Sequence, residues 1–161
     1  MKTLAAVVVA TVLATGAALY ALSSQKTSPL VGRWAVDTSR LPMKPEDRPK
    51  SVVLAFDAIG ADRWSTSVEI IDGAGGRTHA EGVAPLDGTP VNVNGTLETN
   101  VSAVKMPSPN VLVMQLVNRG VPASTRIYTV SGDGRTMTET AAYFAADGKP
   151  LLRTNYFSKL Q

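Results

Sequence analysis

The chain predicts an all-β fold: an antiparallel up-and-down barrel of about eight or nine strands, following an N-terminal hydrophobic leader helix. Three observations carry this prediction. Beyond Leu30 the apolar residues alternate with polar ones instead of recurring every three to four positions. Asp72-Gly73, Asp87-Gly88, Asn94-Gly95, Asp133-Gly134 and Asp147-Gly148 place residues that tolerate positive φ between the alternating runs, as tight hairpins require. An open sheet would leave unpaired edges, which closure removes.

The leader comes first. Met1-Lys2 precedes Thr3 to Leu22, an uncharged run that ends at Ser23, Ser24, Gln25 and Lys26. One positive residue, an apolar stretch and a small polar exit form the pattern of an export signal over residues 1–24. Ala21 and Ser23 supply the small side chains a signal peptidase reads. Residues 3–22 also span about 30 Å as a helix, so the alternative is an uncleaved anchor in the inner membrane. In that case they are the only expected membrane contact. Both readings place the folded part outside the cytoplasm, periplasmic or extracellular. No Cys follows the run, which excludes lipoprotein-type attachment.

Residues 29–161 then form one domain, long enough to bury about two thirds of its surface. Val31 to Asp37 opens the strand series, and Val52, Leu54 and Phe56 mark the next. From Arg63 to Ile71, Trp64, Thr66, Val68 and Ile70 fall on one face and Ser65, Ser67 and Glu69 on the other. Val111 to Val117 is nearly all apolar, as expected where both faces are covered. Arg126–Val130, Thr136–Phe144 and Leu151–Ser158 follow, rich in Thr, Tyr and other strand formers.

Composition narrows the function classes. With 44% apolar residues, 18% charged and a net charge of +3, the chain is no disordered polyelectrolyte. The absence of Cys excludes a disulfide framework and a thiolate metal site. Its Lys and Arg are scattered, and the one local enrichment, Arg40 to Lys50, is a Pro-rich loop that also holds Glu46 and Asp47. That is no nucleic-acid stripe.

Gly32-Arg33-Trp34 opens the first strand where lipocalins carry their Gly-x-Trp signature. The chain from Val31 to Gln161 resembles a group of small exported bacterial proteins with a lipocalin-like barrel, largely uncharacterised. The similarity runs through a Pro-containing loop at Leu41–Pro49, then Asp87-Gly-Thr-Pro-Val91 and Val130-Ser-Gly-Asp-Gly-Arg-Thr-Met-Thr138. It ends with Asp147-Gly-Lys-Pro150 and a final aromatic strand near Lys159. The resemblance implies a fold and no catalytic residues. It further implies a signature of Gly32, Trp34 and a late arginine lying over the tryptophan, for which Arg153 is the candidate.

Catalytic chemistry finds little support. His79 is the single histidine, so a multi-His metal site cannot form. No G-x-S-x-G elbow occurs, Glu69, Glu81, Glu98 and Glu139 are isolated in the sequence, and Gly73–Gly76 reads as a hairpin tip. No cofactor is implied. The expected function is binding of a small apolar molecule inside the barrel, with Phe56, Trp64, Tyr128 and Tyr143 as pocket candidates. The alternative is a non-catalytic envelope interaction or structural protein, a filled barrel presenting Leu41–Pro49 and Met106–Pro109 to a partner. Enzymatic activity ranks last and needs His79, or two carboxylates converging in a cavity.

Overall fold

A computed structural model of the chain describes residues 27–95 and 99–161. The leader, residues 1–24, lies outside them. Among the described residues, eleven strands make one antiparallel sheet that curls into a nearly closed barrel. They are β1 (Gly32–Val36), β2 (Ser51–Ala58), β3 (Arg63–Ile71), β4 (Arg77–Pro85), β5 (Asp87–Asn92), β6 (Asn94–Gly95), β7 (Val101–Ser108), β8 (Val111–Asn118), β9 (Val121–Val130), β10 (Thr136–Phe144) and β11 (Pro150–Lys159). The loop between β1 and β2 carries two 3-10 turns, Thr38–Arg40 and Pro45–Asp47. The spatial order is β5-β7-β8-β9-β10-β11-β1-β2-β3-β4-β6. The first and last strands therefore pair, Trp34 opposite Lys159, and two meanders fuse into one wall.

The strand count exceeds the expected eight or nine because of β5 and β6. These short strands sit where the wall meets itself. At Leu86 the chain leaves β4, its N–H donating to the Asp62 carbonyl (2.8 Å) and its carbonyl accepting from the Met106 N–H (3.4 Å). It runs along β7 as β5, then returns to β4 as β6 at Ala80 and Glu81. One stretch of chain thus bridges both edges of the sheet twice. An unpaired edge is a template for aggregation, and this double crossing covers it.

Two turn assignments need correction for the same reason. Asp87-Gly88 and Asn94-Gly95 lie within β5 and β6 and make no hairpin. At Gly95 the φ of +136° and the approach of the β4 backbone, with the His79 carbonyl 2.3 Å from where a Cβ would stand, explain the glycine. Two hairpin turns absent from the sequence reading instead fall at Pro109-Asn110 and at Arg119-Gly120. Arg119 there adopts φ 48° and its N–H is held by the Asn100 side chain at 2.7 Å. The segment Met106–Pro109 consequently finishes β7 and turns, so it is no extended loop. The other three pairs do sit in turns between strands. Asp72, Asp133 and Asp147 each accept a backbone N–H two to four residues on, the local bond that makes Asp a turn former.

Inward side chains sort into two halves. At one end Leu30, Trp34, Phe56, Leu112, Val130 and Met137 are 0–2% exposed and close the barrel floor. The indole N–H of Trp34 donates to the Leu30 carbonyl at 2.7 Å, so its one polar atom is satisfied inside the core. Trp64, Phe56, Tyr128 and Phe157 stack beside it with centroids 5.4 to 6.3 Å apart, in the tilted and edge-on arrangements that ring quadrupoles favour. The cation over Trp34 is Lys159, with Nζ 5.0 Å from the ring, and Arg153 is not involved. Register decides this. Lys159 is the direct cross-strand partner of Trp34, whereas Arg153 stands six residues away along β11, toward the opposite end. Gly32 leaves room for the lysine stem, since a Cβ there would come within 2.9 Å of Lys159 Cε.

Candidate functional site

The other half of the barrel is built differently. Following the pairings around the wall, Val36, Val52, Val68, Ile70 and Leu116 point inward in register with the floor residues, yet each stays partly exposed. Period-two alternation puts these side chains inside, and at this end they are only partly covered, with Val36, Val68 and Leu116 packed against the buried core.

One wall of this half carries a polar cluster on β9, β10 and β11. Glu139 faces inward between Tyr128 and Asn155, its neighbours in the two pairings, and is 2% exposed. Three donors converge on its carboxylate. Arg126 Nη1 and the Tyr128 hydroxyl both reach Oε1 at 2.9 Å, and the Asn155 side-chain amide donates to Oε2. Burial raises the pKa of Tyr128, and the Glu139 charge raises it further, so the phenol remains a donor. Burial alone would lower the Arg126 pKa, but its electrostatic interactions and hydrogen bonds with Tyr128 and Glu139 outweigh that and the pKa is raised. A carboxylate this deep is tolerable only because the charge is paired and the lone pairs are filled.

Toward the rim, Ala141 separates two inward arginines, being the register partner of Arg126 on one side and of Arg153 on the other. Its methyl side chain is itself covered, 1% exposed. Arg153 lies 5.8 Å from the Tyr143 ring centroid. Two buried polar atoms here lack any hydrogen-bond partner, Arg153 Nε and Asn155 Oδ1. Buried polar groups are nearly always paired, so two neighbouring orphans on one face set this wall apart from the rest of the barrel.

The four pocket candidates therefore divide. Phe56, Trp64 and Tyr128 are 0–4% exposed and pack against one another in the closed half. Tyr143 alone stands in the open half, beside Arg153. Glu139, Arg126 and Asn155 were not singled out from the sequence. Their signal is present in the strand phase: each falls on the inward side of its strand, and Glu139 does so between the apolar Met137 and Ala141, which flags a buried charge.

His79 points outward from β4, its imidazole 3.5 Å from Glu81 and about half exposed. Among the described residues no group of three or more His, Cys, Asp or Glu converges on a metal-sized site. A groove of about 410 Å³ opens on the seam, lined by Ser65, Glu81, Gly82, Val83, Val91 and Asn92. No protein-family profile matches the chain, and no curated protein matches it.

Proposed function

We propose that the protein is an exported barrel that binds one small, largely apolar molecule in the open half of its interior. The observation that carries this reading is the row of inward aliphatic side chains left partly exposed above a fully packed aromatic floor. A barrel meant only as a solid scaffold gains by burying such residues, each worth about 1.5–3 kcal/mol when fully covered. A ligand covers them instead. Leu151, on the inward phase of β11 beside the β10–β11 hairpin and 41% exposed, gives the entrance an apolar edge. The floor aromatics Phe56, Trp64 and Tyr128 then support the ligand from below, and Tyr143 borders it. Resemblance to the small exported lipocalin-like proteins agrees with this role, and the leader supplies the route out of the cytoplasm.

The test is titration with N-phenyl-1-naphthylamine, a neutral apolar fluorophore. One site per chain is expected, with a blue shift that Leu116→Asp abolishes. Emission that stays at the value in water rejects the reading.

A second reading has its own observation. Phe144 and Leu152, 70% and 77% exposed, stand together on the outer face of the β10–β11 hairpin. A non-catalytic envelope protein that presents this hairpin to a partner accounts for them. Crosslinking at Leu152 in envelope preparations, with no specific adduct formed, would remove it.

A further inference from the structure

We infer that the molecule bound in the open half is an amphiphile with a hydroxylated carboxylate head, held by Arg153 and Asn155. This rests on the binding reading above and adds the chemistry of the head.

Charge comes first. The inward polar cluster of β9–β11 contains two guanidiniums, Arg126 and Arg153, and one carboxylate, Glu139. Glu139 is committed to Arg126 at 2.9 Å, which leaves the Arg153 charge, inward on the same wall and 5.8 Å from the Tyr143 ring centroid, without a carboxylate partner among the described residues. Guanidinium is the side chain best shaped for an oxyanion. A monoanionic head therefore completes the charge of the cluster.

Hydrogen bonding narrows the head further. The two buried orphans differ in kind: Arg153 Nε is a donor, Asn155 Oδ1 an acceptor. Asn155 is only 7% exposed, and its amide nitrogen is already held by Glu139. Rotating that amide would turn its oxygen toward the carboxylate, so Oδ1 must look for a donor elsewhere. A plain carboxylate accepts only. It satisfies Arg153 and leaves Asn155 unpaired. A hydroxyl next to the carboxylate donates to Asn155 while the acid accepts from Arg153. The two residues stand at alternate positions of β11 on one face, so their side chains address one small head. The apolar tail lies along the inward, partly exposed Val68, Ile70 and Leu116.

The experiment is displacement of N-phenyl-1-naphthylamine from the full chain by decanol, decanoate and 3-hydroxydecanoate. Both acids are expected to displace at lower concentration than decanol. 3-Hydroxydecanoate is expected to be the strongest, by about tenfold over decanol, since one charge-assisted hydrogen bond corresponds to roughly that factor. In Arg153→Met the difference between acid and alcohol collapses, and Arg153→Lys keeps part of it. Decanol competing as well as the acids overturns the head-group inference but leaves the binding reading standing. Equal displacement by decanoate and 3-hydroxydecanoate overturns the role of Asn155. A naphthylamine that never binds overturns both.

Discussion

Replacing Glu139 by Ala is the most informative perturbation of the fold itself. The substitution removes one acceptor group and strands three donors: Arg126 Nη1, the Tyr128 hydroxyl and the Asn155 amide. Tyr128 and Asn155 are 3% and 7% exposed, so water does not replace what they lose, at about 1–3 kcal/mol each. Arg126 behaves differently because its side chain is 34% exposed and can rehydrate. Removal of the buried carboxylate returns part of its own desolvation cost. The net expectation is a loss of about 3 kcal/mol, or roughly a 10 °C fall in Tm for a domain of this size. Urea unfolding followed by tryptophan fluorescence reads this directly, since Trp34 and Trp64 are 0% and 4% exposed in the native barrel. Adding Tyr128→Phe to Glu139→Ala removes one stranded donor, so the double variant should lose less than the two single losses summed. A Glu139→Ala protein within about 1 kcal/mol of the parent would show that the network is not holding the three strands together.

Two further outcomes follow from particular contacts. At Gly95 a Cβ would meet the His79 carbonyl at 2.3 Å, and φ is +136°. Gly95→Ala should detach β6 from β4 at a cost of about 1–3 kcal/mol, read as faster amide exchange at Ala80 and Glu81 while β8–β10 stay protected. At alkaline pH, Tyr128 sets a slope. Its folded pKa is raised above the ordinary 10.0 by burial and by Glu139, so the stability it contributes is present below pH 10 and lost as pH rises beyond that. The parent should lose about 1.4 kcal/mol more per pH unit above that point than Tyr128→Phe, and parallel pH profiles would contradict the assignment.

Much of the wall was legible because a strand with one buried face writes its period into the sequence. Trp64, Thr66 and Val68 alternate on β3, and Met137, Glu139 and Ala141 do so on β10. Local bonds within a few residues also announce themselves, which is why the Asp72, Asp133 and Asp147 turns could be placed. Asn94-Gly95 misled for an equally physical reason. Positive φ at a glycine serves a hairpin or a close strand approach alike, and only the position of β4 distinguishes them. Likeness of pattern points to Arg153 as the cation over Trp34, but the β1–β11 register puts Lys159 there.

Periodicity and turn chemistry along the chain suffice for the class of fold, the inward and outward phase of most strands, and the identity of the residues available to the interior. Those properties depend on neighbours along the chain. Tertiary structure decided how the edges meet at Leu86 and Val93, which aromatics fill the floor, and that Arg126, Glu139, Tyr128 and Asn155 form one network. The residues of that network come from strands whose pairing partners lie 11 to 16 positions apart. A buried charge is stabilised by whatever surrounds it in space, and hairpin register, not sequence distance, sets that surrounding.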